Sequence, residues 1–363
     1  MTLQDRIDQI TTRREALEIL SASAQALTPD LSFTVDFFQP ADAWGVAQCC
    51  CAIYGDGYPV DTYYVPQRLV AETRQGNIHG VVARTERGDV VGFGAVYRSS
   101  PPFSGIYEAG QYLIRQEYRN TRAVFEISEF ILKMLPAKTG LSVLFTETVC
   151  RDLIMQRMPV RKGFTEAGLA LDLMPAEAFA KEGGSPGRVA AVLFFKVFKD
   201  RPQDLWLPEI YREPVGRCIE EMGLVRSLHS QSETAGLPER SDSTELYFAE
   251  AAVARLSLVK AGRDAAQIIA DFEATASAKG CQVRQVFLNI GDPALVGVFP
   301  ALLQRGYFFG GYLPRWFDND GLLLQKLTSA PNRESINLYS ERAKKLLEFI
   351  MQDRARAMRG SAV

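Results

Sequence analysis

Apolar positions change period several times along this chain, and each change marks an element. Leu3, Ile7, Ile10, Leu17 and Leu20 recur three, four or seven apart among charges, which predicts an amphipathic helical stretch over 3–28 that ends near Pro29. Its apolar face suits the body of the protein or a second subunit. Leu31–Phe38 (LSFTVDFF) reads as a strand from its β-branched and aromatic content. Asp42 then stands where it can cap a helix running through Cys49, Cys50 and Cys51 to Tyr54. YGDGYP (Tyr54–Pro59) is a turn-rich loop, and Pro66–Gln75 resumes as a helix. His79–Arg84 and Val90–Tyr97 flank a polar turn at Glu86–Asp89, a hairpin signal.

The stretch Tyr107–Ile127 (YEAGQYLIRQEYRNTRAVFEI) changes period most sharply. Tyr112, Leu113 and Ile114 end a strand, Arg115–Arg122 carries no hydrophobic period, and Ala123, Ile127, Phe130, Ile131 and Met134 recur at helical spacing up to Pro136. Ser142–Val149 reads as a buried strand, Asp152–Lys162 as a short helix broken by Pro159, and Leu169–Met174 as a strand. The order β, α, α, β, β, β, α, β, α, β places consecutive strands in hairpins, so a mixed α+β sheet is expected rather than a doubly wound one.

Lys181–Arg188 (KEGGSPGR) has the composition of a linker. Beyond it come a strand at Val189–Phe198, a helix near Tyr211–Met222 and a polar loop at Gln231–Ser243. Further elements follow at Val253–Val259, Asp264–Ala278, Val283–Ile290, Pro293–Gln304, Tyr312–Pro314 and Leu322–Leu327, and a terminal helix at Glu334–Arg356. The halves echo one another: Lys162-Gly163-Phe164 precedes Gly168, and Arg305-Gly306-Tyr307 precedes Gly311. The expected organisation is an N-terminal helical segment (1–30), a first domain (31–180), a second (188–330) and a C-terminal helix (334–360).

Composition narrows the class. At 363 residues, with 47% hydrophobic and 23% charged, the chain can fill two or three globular cores. A net charge of −2 without a basic block argues against a general nucleic-acid binder. No apolar run reaches the roughly 18 residues of a membrane span, and the charged N-terminus lacks the apolar core of a signal peptide. A cytoplasmic protein with six free thiols is expected. The cysteine triplet points three ways on a helix and reads as buried packing. With only His79 and His229 besides, no metal site is expected. The strand–polar turn–helix at 107–127 is the place for a phosphate, because a helix start leaves backbone N–H groups unpaired.

Five stretches carry a resemblance to the GNAT superfamily of N-acetyltransferases, and specifically to bacterial proteins with two GNAT-like units. They are YGDGYP with VDTYYVPQRL, the VVGFGAV strand, YEAGQYLIRQEYR, TETVCRDLIMQ and RKGFTEAGLALDLMP. The resemblance covers about residues 31–175, and a more divergent second copy about 188–328. It implies a sheet whose fourth and fifth strands splay to admit the pantetheine arm. It also implies that acetyl-CoA or another acyl-CoA is held at Leu113, Ile114, Arg115, Arg119, Asn120, Thr121, Arg122 and Ala123.

The family's pyrophosphate loop is Arg/Gln-x-x-Gly-x-Gly/Ala. With Arg119 as its first residue, Arg122 and Val124 fall where the glycines belong. Arg115, Arg119 and Arg122 could bond phosphate, or they form a solvated face and pair with Glu117 and Glu126. Where many members place a tyrosine acid, this chain has Pro159. Glu108 and Glu147 are the candidate bases, and Cys150 is an alternative thiol acid or a buried structural residue. Asp152 and Gln156 read as capping and flanking the following helix.

In the second copy, Lys260–Asp264 reads as an anion-holding turn or as a plain turn with Asp264 as N-cap. Tyr307, Phe308, Phe309, Tyr312, Trp316 and Phe317 read as an acyl or partner pocket, or as core. The function implied is direct acyl transfer from acyl-CoA to a small-molecule or protein amine entering between the units, with no metal, nucleic acid or membrane. The alternative is a catalytically degenerate pair that binds a partner or senses acyl-CoA. Either version is compatible with a homodimer.

Overall fold

Residues 2–22, 27, 32–151, 153–175, 187–231 and 237–360 are described by the computed structural model, and among them the chain forms ten α-helices and fourteen β-strands. Contacts sort it into two units, one of Met1–Ser100 with Tyr107–Leu144 and one of Pro101–Ile106 with Phe145–Val363. No helix among the described residues is long and apolar enough to cross a membrane.

The first unit contains α1 (Leu3–Asp8), α2 (Arg13–Ala22), β1 (Phe33–Phe37), α3 (Ala43–Tyr54), α4 (Pro66–Arg74), β2 (Ile78–Thr85), β3 (Val90–Tyr97), nearly all of β4 (Ile106–Ile114) and α5 (Ala123–Thr139). Strands β1 to β4 pair in chain order, each antiparallel to the next. On one face Phe93, Ala95 and Leu113 pack with Val46, Cys49, Cys50, Tyr63 and Leu69, and Ile7, Ile10, Ile19 and Leu20 join the same core. On the other face α5 lies close because β3 carries Gly94. A Cβ there would stand 2.4 Å from the Ile127 side chain and 3.2 Å from that of Ile131.

Several sequence expectations need correction. The N-terminal stretch is two helices, because Glu15 reaches back to the Thr11 and Thr12 amides at 2.9 and 3.1 Å and starts a new one. Its expected end near Pro29 lies outside the described residues, as do Asp152 and most of the 181–188 linker. Asp42 does not cap α3 with its side chain. Its carboxylate accepts from the Gln39 amide at 2.6 Å and pairs with Arg84 at 2.5 Å. Helix α5 runs through Pro136 and stops at Gly140, whose left-handed φ of 70° ends it. The last helix begins at Glu341, since Arg333–Ser335 forms a separate 3-10 turn.

The second unit contains most of β5 (Val143–Val149), then α6 (Leu153–Arg161), β6 (Thr165–Pro175), β7 (Arg188–Val197), β8 (Gln203–Trp206), α7 (Glu209–Met222), β9 (Arg226–His229) and β10 (Asp242–Phe248). It continues with β11 (Val253–Lys260), α8 (Ala265–Ala278), β12 (Val283–Asn289), α9 (Phe299–Gln304), β13 (Phe308–Phe317), β14 (Asn319–Leu327) and α10 (Glu341–Gly360). Its main sheet runs β5-β7-β6-β13-β14-β12-β11-β10, while β8 and β9 pair in parallel separately. Pro159 sits inside α6 without breaking it. Trp316 stacks on Phe287 at 5.2 Å and meets Phe145 at 5.3 Å, so the 307–317 aromatics are core of this unit.

Strand order is mirrored about the β6–β13 junction, with β7 and β5 on one side and β14 and β12 on the other. The glycines of the sequence echo sit at the same stations: Gly163 and Gly306 turn with φ of 75° and 85°, and Gly168 pairs with Gly311. A Cβ on Gly168 would stand 2.7 Å from the Gly310 carbonyl oxygen, and one on Gly311 would stand 2.5 Å from Gly168 Cα. The correspondence extends to residues the sequence does not flag, since Asp172 and Arg315 both hold positive φ, 51° and 56°. Where β6 and β13 diverge, buried Gln325 accepts from the Leu171 amide at 2.9 Å and donates to the Leu169 and Phe309 carbonyls.

Candidate functional site

A bulge in β4 builds the site. Opposite Phe93–Ala95, two steps on β3, the β4 partners run Leu113 to Gly110, three steps. The extra residue is Gln111, held at φ 59°, uncommon for a non-glycine residue. One added residue inverts the alternation of a strand. Leu113 faces the α3–α4 core, and strict alternation from it would turn Glu108 to the opposite face. The bulge turns Glu108 back to the face of Tyr97, its register partner, whose hydroxyl donates to Glu108 Oε1 at 2.6 Å.

The loop after α3 closes over this point. The Tyr58 hydroxyl donates to Gln111 Oε1, its ring lies 4.9 Å from that of Tyr54 and 5.9 Å from that of Tyr63, and Tyr63 meets Phe93 at 6.0 Å. Burial pushes the Tyr58 hydroxyl up to about 12. Burial and then the Glu108 charge push Tyr97 up further. Both phenols therefore stay protonated near neutrality and act as donors. Glu108, Gln111, Tyr58 and Tyr97 are half-buried, so the carboxylate is held by the protein and still reachable. Such a group can take a proton from an approaching ammonium.

The polar turn lies at the other end of β4. Leu113 and Ile114 bury their side chains, and the Arg115 amide donates to Val91 O at 3.0 Å. Arg115 pairs with Glu117 at 3.2 Å. Burial works to raise the Glu117 carboxyl, but its hydrogen bonds and the Arg115 charge hold it below the ordinary value. Arg122 pairs with Glu126 at 3.4 Å, while Arg119, Asn120, Thr121 and Arg122 are exposed.

The amides of Tyr118, Arg119 and Thr121 donate to carbonyls within the turn, and that of Ala123 donates to Thr121 Oγ1 at 3.2 Å. Val124 follows in the first helical turn, where backbone amides have no partner within the helix. The turn fits an anion held by the exposed Arg119 and Arg122 guanidinium groups at a helix start. It does not form the glycine cradle of the family pattern, since Val124 puts a branched side chain there.

Glu147 lies half-buried on β5, in the second unit. Cys150 is buried and its thiol is pushed up to about 12 by burial, which suits a structural residue rather than an acid. Gln156 donates to Asn337 O at 2.8 Å and accepts from the Tyr339 amide at 3.0 Å, so it pins a downstream segment.

The corresponding turn of the second unit is shut. The Ala261 amide donates to Asp292 at 3.1 Å, that of Gly262 to Ser241 Oγ at 2.9 Å and that of Arg263 to Pro238 O at 2.9 Å. A Cβ on Gly262 would stand 2.4 Å from the Arg240 carbonyl carbon. Asp264 sits at the N-cap of α8 but spends its carboxylate on the Ser241 amide and hydroxyl, both at 2.7 Å. A groove of about 670 Å³ elsewhere in this unit has Glu166 and Arg342 in its walls, and its charges are largely paired, Arg342 with Glu221 at 3.0 Å.

Sequence reasoning pointed to Glu108 and the turn and did not single out Tyr58, Tyr97 or Gln111 as site residues. Tyr58 was visible only as part of a turn-rich loop, and the pairing of Tyr97 with Glu108 depends on a bulge that no local pattern announces.

No family profile matches the sequence, and no curated protein matches it. Solved structures similar to it include the ribosomal-protein-S5-alanine acetyltransferase of Vibrio fischeri, at 12% identity over 48% of this chain and 98% of that one, TM-score 0.37. A GNAT-family acetyltransferase of Streptococcus pneumoniae is 15% identical over 46% of this chain and 100% of that one, TM-score 0.39. The spermidine/spermine N-acetyltransferase of Vibrio cholerae is 11% identical over 46% and 92%, TM-score 0.35. Each is a partial likeness of backbone, and the functional reading below rests on the residues of this chain.

Proposed function

We infer that this chain is an acyl-CoA-dependent N-acyltransferase of GNAT type, cytoplasmic, whose working site is in the first unit. The observation that carries the reading is the bulge at Gln111, which sets Glu108 against Tyr97 at 2.6 Å beneath the Tyr58 loop. Acyl-CoA, when bound, supplies the thioester. Arg119 and Arg122 at the start of α5 would hold its phosphates. Glu108 takes the proton from the ammonium of a small-molecule or protein acceptor, and Tyr97 fixes the carboxylate through its hydrogen bond. A base so placed contributes about 10²- to 10⁴-fold in rate.

We also read the protein as two GNAT-like copies, which the mirrored strand order and the matched glycines support. Isothermal calorimetry with acetyl-CoA and with free CoA tests the reading. Absence of binding at millimolar concentration, the upper end of ordinary substrate affinity, would sink it.

The second reading, an acyl-CoA sensor or partner-binding protein without turnover, is favoured by one observation: Arg115 and Arg122 already have carboxylate partners in Glu117 and Glu126. Binding of acetyl-CoA without transfer to any of a broad panel of amines would select it.

A further inference from the structure

The surroundings of Glu108 say which amines the site can take. Tyr54 is 38% exposed, Tyr58 and Tyr97 are half-buried, and all three rings lie on the side of the sheet to which the bulge turns Glu108. The Tyr54 and Tyr58 rings form a tilted pair 4.9 Å apart, an apolar wall leading to a carboxylate. The Glu108 charge acts on Tyr58, Tyr63 and Tyr97 alike, and Glu72 adds a second negative charge at Tyr63. Arg13, on α2, lies over the Tyr64 ring at 4.3 Å with its guanidinium paired with Asp56 at 2.6 Å. Arg98 sits on the opposite face with Tyr107, whose hydroxyl it meets at 3.4 Å. A ligand carboxylate entering here would meet the like charge of Glu108, with Arg13 and Arg98 both engaged elsewhere.

We propose that the first unit selects a primary ammonium on an uncharged apolar stem, with the ammonium at Glu108 and the stem against Tyr54, Tyr58 and Tyr97, and rejects amines that carry a neighbouring carboxylate. The selection rests on the acyltransferase reading for its purpose, but it is a property of binding and can be measured without transfer. Discrimination comes from the unpaired like charge rather than from size, because one carboxylate against another in a half-buried site weakens binding by roughly tenfold or more. The aromatic wall contributes to every apolar amine alike.

Phenethylamine and phenylalanine share a stem and differ by the carboxylate, so the two are titrated by calorimetry into the full chain, with and without saturating CoA. The expected result is phenethylamine binding at least tenfold tighter. Glu108→Gln should erase most of that difference, while Tyr58→Ala should weaken phenethylamine and Tyr58→Phe should not. Equal affinity for the two ligands, no phenethylamine binding in either condition, or discrimination that survives Glu108→Gln would overturn the proposal. Failure of the acyltransferase reading shows up separately. If acetyl-CoA does not bind while phenethylamine still discriminates, the ammonium site stands without the transfer. If acetyl-CoA binds and the amines do not discriminate, the transfer stands without this selection.

Discussion

Strands β3–β4 and the turn after them differ from β11–β12 and the turn after β11 in ways that separate a site from its structural counterpart. In the first unit β4 is broken by a bulge, one residue holds positive φ, and a carboxylate is turned to a face of half-exposed tyrosines. In the second, β11 and β12 pair in parallel from Val253–Val283 to Leu258–Leu288 without a shift, β11 slips against β10 only at its last residues, opposite Asp242 and Ser243, and the following amides are consumed by Asp292, Ser241 and Pro238. Regular pairing satisfies every backbone group and leaves nothing to offer a ligand. An irregular strand stores strain that only surrounding structure can hold, and such strain collects where chemistry is done. The second region has its irregularity only at the end of β11, and the amides there are already taken.

The comparison breaks most readily at Glu108. Glu108→Gln should lower kcat by about 10²- to 10⁴-fold, the range for losing a general base, with acetyl-CoA affinity unchanged. A carboxylate change in the second unit, Asp292→Asn, which removes the acceptor of the Ala261 amide, should leave kcat within about twofold, since a residue outside the reacting groups contributes no general-base factor. Steady-state rates on one acceptor decide it, and a Glu108→Gln enzyme with normal kcat would move the base elsewhere, Glu147 first. Next in size is the mirrored junction. Gly168→Val must push a side chain into the Gly310 carbonyl and the Gly311 backbone, which should cost about 3 kcal/mol or more in chemical denaturation. Gly216→Val, inside α7 where nothing stands within 4 Å of the added Cβ, should cost nothing or stabilise by a few tenths of a kcal/mol, because Val is a slightly better helix former than Gly, roughly 0.7 against 1 kcal/mol below Ala. Equal costs would deny that the Gly168–Gly311 approach is the tight point.

A smaller effect separates the two turns. Arg119→Glu should weaken acetyl-CoA roughly tenfold, because an exposed guanidinium near a helix start is replaced by like charge. Arg263→Glu, whose partner Glu239 is exposed with it, should change affinity by less than about twofold. If both weaken binding equally, the second turn is not shut.

The sequence made one half of this comparison legible and hid the other. Hydrophobic period located most helices and strands, because burial on one face imposes that period directly, and it passed over β9 and β10, whose residues are largely exposed or half-buried. The echo at Gly163 and Gly306 pointed to matched turns, and both glycines hold the positive φ that explains them. The sign of Glu108 did not follow, since the alternation that identifies a strand also mispredicts the face of every residue beyond an unseen bulge. The fate of Asp42 and Asp264 was hidden for a related reason. Their position marked a cap, but Arg84 and Ser241, remote in sequence, competed for the carboxylate and won it. Tertiary partners decide a side chain's hydrogen bond when the local one is worth only about 1 kcal/mol.

The smallest effect marks where the comparison should stop, because buried thiols impose the same pH response on both units. Cys49 and Cys50 in the first and Cys150 and Cys218 in the second are all pushed by burial to about 12 from an ordinary 9.0. A thiol whose folded value is raised binds its proton more tightly in the folded state. Its stabilisation is complete below pH 9 and is lost as pH rises from there toward 12, where the unfolded chain ionises first. Between pH 8 and pH 10 each such thiol should cost about 1 kcal/mol. Denaturation at the two pH values, compared among the wild type, Cys49→Ala and Cys150→Ala, should show each variant losing about 1 kcal/mol less than the wild type over that interval. A variant of one unit that matches the wild type in pH dependence would show that its thiol is reached by solvent, and would extend the difference between the units from their strands to their cores.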